Sequence, residues 1–69
     1  MKISARNSFK GMVKKVKIGA VSAEISVEIA PSIHVISTIT KSSAETLELE
    51  EGKEAYVVIK ASDVIVATD

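Results

Sequence analysis

Between Val21 and Ile29 apolar and polar residues alternate without interruption. Val21, Ala23, Ile25, Val27 and Ile29 take one parity; Ser22, Glu24, Ser26 and Glu28 take the other. Side chains two apart share a face of a strand, so the pattern predicts a strand with one buried and one solvated face. Gly19-Ala20 before it and Pro31-Ser32 after it predict turns. Upstream, the phase breaks: Phe9, Gly11 and Val13 share one parity, Val16 and Ile18 the other, and Lys14-Lys15 sit at the switch. A β-bulge there restores a single inward face, with Gly11 as a second place to bend.

Ile33 to Thr40, rich in β-branched residues, predicts a third strand. The period then changes. Ser42-Ser-Ala-Glu45 has the form of a capping box, followed by Leu47 and Leu49, and predicts a short helix over 43–48 that stops at Glu51-Gly52. Ala55–Lys60 and Val64–Ala67 predict two more strands around Ala61-Ser62-Asp63. The order β-β-β-α-β-β predicts a mainly β fold, a small five-stranded OB-like barrel with one short helix, over residues 1–69 as one domain.

Composition adds a demand for a partner. The chain has 69 residues, 46% of them hydrophobic, but no cysteine and only one histidine. A domain this small is marginal alone, and disulfides and a conventional zinc site are both excluded as staples. In Ala55–Lys60 both parities are apolar, with Tyr56 and Val58 opposite Ala55, Val57 and Ile59. One thin barrel has one interior, so the second apolar face predicts a subunit interface. The balanced charge, nine basic against nine acidic residues, argues against a nucleic-acid binder. The longest apolar run, Ala55–Ile59, is too short to span a membrane, and Arg6, Lys10, Lys14 and Lys15 interrupt any signal-peptide core. The expectation is a cytoplasmic protein.

Little points to catalysis. No cysteine nucleophile exists, and His34 stands in no catalytic motif. Glu24 with Glu28 and Glu50 with Glu51 read as solvated strand face and turn; Lys14, Lys15 and Lys17 read as a charged edge that discourages strand pairing. No catalytic residue, catalytic cofactor or cation ligand is expected. Three short groups of hydrogen-bond donors do stand out: Ser4 with Arg6, Thr40-Lys-Ser-Ser43 at the helix start, and Lys60-Ala-Ser62 at a strand end. Brought together they would suit a deprotonated tetrahedral dianion, which only accepts hydrogen bonds. Against this, Ser42 and Glu45 serve equally well as caps, and Glu45 would repel an anion.

The segments MKISARN, KG at 10–11, KIGAVSAE at 17–24, STITKSSAETLEL and EEGKEAYVVIKASDV resemble, end to end, the molbindins, single Mop-type TOBE domains that bind molybdate. The resemblance implies a five-stranded OB-like barrel with strands exchanged between subunits. It implies a homo-oligomer, a hexamer built as a trimer of dimers, holding molybdate or tungstate between subunits as an intracellular store. Residue by residue, it carries an oxyanion-binding role onto Ser4, Ala5 and Arg6, onto Thr40 and Ser43, and onto Lys60, Ala61 and Ser62. It adds Lys17, Ile18, Gly19, Ala20 and Val21 as a second class of oxyanion site. Pro31-Ser32-Ile33-His34 and Ser8 depart from the pattern of many relatives, outside those positions. Two other functions stay open: a sensing or delivery module for a molybdate transport or regulatory partner, and an OB-type single-strand nucleic-acid binder. The last requires stacking aromatics, and this chain has only Phe9 and Tyr56.

Overall fold

One strand organises the fold. The structure, a computed structural model, describes residues 1–69, and its first strand, β1 (Asn7–Ile18), belongs to two ladders. Its second half, Met12 to Ile18, pairs antiparallel with β2 (Ser22–Ala30). Its first half, Asn7 to Met12, pairs antiparallel with β4 (Glu54–Ile59). β3 (Ile33–Thr40) completes the sheet against β2, in the order β3-β2-β1-β4. The fold is OB-like and mainly β, with β3 and β4 as its unpaired edges.

The crossover between ladders needs both features read from the sequence. The register slips between Val13 and Lys15, where Val13 faces Val27 and Lys15 faces Ser26, so Lys14 is the bulged residue. That slip lets Val13 and Val16 both point inward although their parity differs. At Gly11 the backbone of β1 approaches β2 so closely that a Cβ would lie 2.5 Å from the Glu28 carbonyl oxygen. Glycine stands there because nothing larger fits.

The core is small. Val13, Ala23, Ile25, Val27 and Ala44 are the only buried residues, ringed by Val16, Ile29, Ile39, Leu49, Ala55 and Val57. Ala23, Ile25 and Val27 are the alternating positions of the second strand, as the pattern requires. Fourteen large apolar side chains remain exposed, among them Tyr56, Ile65 and Val66. An apolar groove of about 560 Å³ lies between the edge strands, with Ile25 and Val27 at its floor and Ile39, Leu49 and Val57 on its sides.

Three sequence expectations shift. The fifth strand at Val64–Ala67 does not form within the chain. The 3-10 turn η1 (Ala61–Asp63) ends the β1–β4 region, and the tail beyond it has no ladder partner, leaving Ile65 and Val66 at 92% and 85% exposure. The turn before β2 extends to Val21, so that strand begins at Ser22. The helix, α1, spans Lys41–Thr46 rather than 43–48, with Thr40 and not Ser42 as its N-cap. The Thr40 hydroxyl accepts the Ser43 N–H at 3.0 Å. One hydroxyl placed three residues ahead of a free amide suffices, and Thr40 is fixed earlier by its pairing with Ser22.

α1 also ends before Glu51-Gly52. Glu48 N–H donates to Glu45 C=O and Leu49 N–H to Ala44 C=O, a Schellman motif. The left-handed residue that this motif requires is Glu48, at φ 53°, where glycine is the usual choice. Lys53 Nζ donates to the Glu48 carbonyl at 2.9 Å and holds the turn. Glu48→Gly keeps that backbone bond and removes the strain of a Cβ in the left-handed region. It should stabilise the protein by about 0.5–1 kcal/mol; a chemical-denaturation midpoint at or below wild type would refute this.

Candidate oxyanion cleft

The antiparallel register explains which donor groups meet. The β1–β4 ladder ends at Asn7 opposite Ile59. Continued one step, it sets Arg6 across from Lys60, with Ala5 and Ala61 one step further. Ser4, Ala5, Arg6, Lys60 and Ala61 do line one open cleft of about 480 Å³, together with Ile3 and Val58. Ser62 follows on η1 and does not line it. Neither Arg6 nor Lys60 has a carboxylate within ion-pair distance; the ion pairs are Lys10–Glu54, Lys14–Glu28, His34–Glu28 and Lys53–Glu48. Two uncompensated cations therefore face a cleft without an acidic residue.

Thr40 and Ser43 lie elsewhere. Thr40 pairs with Ser22, and Ala23 pairs with Ile18, so this group belongs with the far end of β1. At a rise of about 3.3 Å per residue, that end is up to about 35 Å of strand away from Asn7. The three groups expected to converge thus form two separate clusters in one chain. The long strand that gives the fold its two ladders is what separates them.

The far cluster is rich in hydroxyls. Thr40 Oγ1 donates to Ser43 Oγ at 2.7 Å and lies 3.3 Å from Ser42 Oγ. With its proton so engaged, Thr40 polarises Ser43, whose own hydroxyl proton is left to donate outward. Lys17–Val21, the second-class segment, joins this end: Lys41 N–H donates to Val21 C=O and Gly19 N–H to Ser22 C=O. Those two amides are already engaged within the protein. Ile18 borders the largest cleft of the molecule, about 770 Å³, which Glu45, Glu48, Glu50 and Glu51 line against a single lysine, Lys53. Its volume does not make it an anion site, because four carboxylates repel a dianion.

The remaining charged groups form surface pairs. Lys10 lies 3.2 Å from Glu54, and its ammonium is held above its usual pKa by that hydrogen bond and by the carboxylate's charge. His34 stacks its Nε2 3.5 Å from Glu28, half exposed, in the position of an ordinary cross-strand partner. No group of three or more His, Cys, Asp or Glu side chains is placed to hold a metal ion. No helix is long and apolar enough to cross a membrane. Ile3 and Val58 were not among the sequence candidates; the only signal for them was proximity in sequence to Ser4 and Lys60.

A small OB-like domain with an exposed cationic cleft is the class that fold and site define. The comparisons narrow it: the TOBE domain model matches residues 3–66, and the chain belongs to that family. Molybdenum-pterin-binding protein 3 of Clostridium pasteurianum is 48% identical over 66 residues, 96% of this chain and 97% of that protein. The molybdenum transport protein ModE of Azotobacter vinelandii is 41% identical over all 69 residues, but this chain spans only 26% of it. Among solved structures, MopII from Clostridium pasteurianum superposes with a TM-score of 0.91 at 42% identity, over 97% of this chain and 100% of that one. The cytoplasmic molybdate-binding protein ModG, with molybdate bound, superposes with a TM-score of 0.89 at 40% identity, over 94% of this chain and 46% of that one.

The hydroxyl cluster distinguishes Thr40 from Ser42 as the cap. Thr40→Ala should destabilise the protein by about 1 kcal/mol, while Ser42→Ala should stay within about 0.5 kcal/mol of wild type. Equal losses in urea unfolding would return the capping role to Ser42.

Proposed function

We propose that this chain binds molybdate or tungstate between copies of itself and acts as a cytoplasmic store or buffer for them, without a chemical step. The observation that carries this reading is the pair of unpaired cations, Arg6 and Lys60, in a carboxylate-free cleft. Two positive charges balance a dianion, and Ser4 adds a directional donor. Full-length similarity to molybdenum-pterin-binding proteins supports the same ligand class. Phe9 and Tyr56 do not line the cleft, so no ring is placed to stack a pterin, and the free oxyanion is the ligand proposed here.

The hydroxyl half-site of one copy completes the cationic half-site of another. Thr40 and Ser43 then supply donors to the anion that Ser4, Ala5, Arg6, Lys60 and Ala61 hold from the other side, with Ser62 just outside the cleft on η1, in a homo-oligomer organised as a hexamer. The fourteen exposed apolar side chains and the unpaired tail support such an assembly, with strands exchanged between copies. The Lys17–Val21 turn is a second, weaker anion position. A sensing or delivery role is the second reading, favoured by the match to one quarter of ModE. Single-strand nucleic acid is disfavoured. Phe9 pairs with Val57 and Tyr56 with Lys10, so the two rings fall on opposite faces of their ladder.

Isothermal titration of molybdate and tungstate into the protein should release heat in both cases; silence with both would sink the reading. Arg6→Ala should weaken binding about 10- to 100-fold, the loss expected for a charge-assisted hydrogen bond, and unchanged affinity would remove Arg6 from the site. The division of the site between copies has its own test. Arg6→Ala and Ser43→Ala proteins, each defective alone, should regain binding in about a quarter of sites when unfolded and refolded as an equal mixture, by random pairing of subunits. No recovery on mixing would place both residues in the same chain's site.

A further inference from the structure

Two large aliphatic side chains stand in the cationic cleft with no role in the core. Val58, near the end of β4, pairs with Ser8 and lines the cleft beside Lys60, the residue that follows the strand. Ile3 enters from the segment before β1. They are 37% and 54% exposed and belong neither to the buried core nor to the residues packed on it. Positions this exposed beside two cations tolerate serine or threonine; here they are isoleucine and valine, with Val58 also bordering the apolar groove between the edge strands.

We propose that Ile3 and Val58 are specificity-determining residues, a dry wall that makes the cleft prefer large, weakly hydrated dianions over small, strongly hydrated ones. This rests on the oxyanion reading above. Arg6 and Lys60 respond to charge, and sulfate and molybdate both carry two negative charges, so the cations alone separate them poorly. The wall acts on hydration. An anion seated against Ile3 and Val58 sheds water on that side and receives no hydrogen bond in return. The cost of desolvating equal charges rises as the ion shrinks. Sulfate, with shorter bonds to oxygen, loses more than molybdate or tungstate. Ala5 and Ala61, the other two apolar lining residues, are small and leave room for the larger ion.

The experiment measures a ratio. Molybdate and sulfate are each titrated into the intact protein and into Val58→Thr and Ile3→Thr. Threonine keeps the branched shape of valine but offers a hydroxyl donor. The preference for molybdate over sulfate should fall by roughly three- to tenfold in each variant, the size of one partly compensated polar group, mainly because sulfate binds more tightly. Ile3 lies outside every ladder, so Ile3→Thr decides the matter should Val58→Thr fail to fold. An unchanged preference in the folded variants would overturn the proposal. So would equal weakening of both anions, which marks a merely structural role. Wild type that binds molybdate without preferring it to sulfate overturns this inference alone; wild type that binds no molybdate overturns the oxyanion reading itself.

Discussion

Everything in this fold depends on one strand serving two ladders. β1 can pair with β4 at its start and β2 at its end only if its backbone passes close to β2 where the ladders meet. Gly11 permits that approach: a Cβ there would also lie 2.8 Å from Val27 Cγ1. Three residues later the bulge at Lys14 corrects the phase, so Val13 and Val16 on either side of it face the same interior. Neither device works alone. The close approach without the bulge would turn Val16 toward solvent, because a one-residue slip exchanges the faces of a strand.

The same strand leaves the chain incomplete. Five buried residues make a thin core for 69, and small domains have little stability to spare. The groove between β3 and β4 is apolar, both edges are unpaired, and the tail after η1 covers neither of them. β3 also lacks the lysine or glutamate that usually guards an edge. On the proposed reading these features share one explanation: a second copy covers the face that the first cannot. Any anion bound between copies then favours the assembled form over the separate chains, by linkage.

Local periodicity was legible in the sequence wherever one face is buried. The alternation of Val21–Ile29, the limits of Ile33–Thr40 and the bulge at Lys14 could all be read there, since each follows from which side chains must face inward; only Val21 falls outside the strand. The cap was misplaced by two residues because Thr40 and Ser42 have the same chemistry, and only the pairing of Thr40 with Ser22 decides between them. The helix stop was hidden because glutamate, not glycine, occupies the left-handed position. The strand at Val64–Ala67 was read from a correct apolar pattern, but a pattern specifies a face and not a partner. The sequence showed three donor groups but not which of them meet; the β1–β4 register brings Ser4 and Arg6 beside Lys60. The third could not be placed without knowing that β1 carries both ladders, since that alone puts Thr40 at its opposite end.

The separation also gives meaning to a net charge of zero. The sum conceals two ends of opposite character: a cleft with two free cations, and a larger one lined by four glutamates beside the hydroxyl cluster. The cationic end has charge but only one hydroxyl in its cleft, Ser4, so an anion there would remain largely bathed in water and weakly held. The hydroxyl end has donors but a repulsive field. Each half lacks what the other supplies, and only their juxtaposition offers a dianion both neutralisation and a full set of donors. On the proposed reading, a chain built this way resists filling its site before it assembles, and the placement of its charges couples capture of the anion to formation of the oligomer.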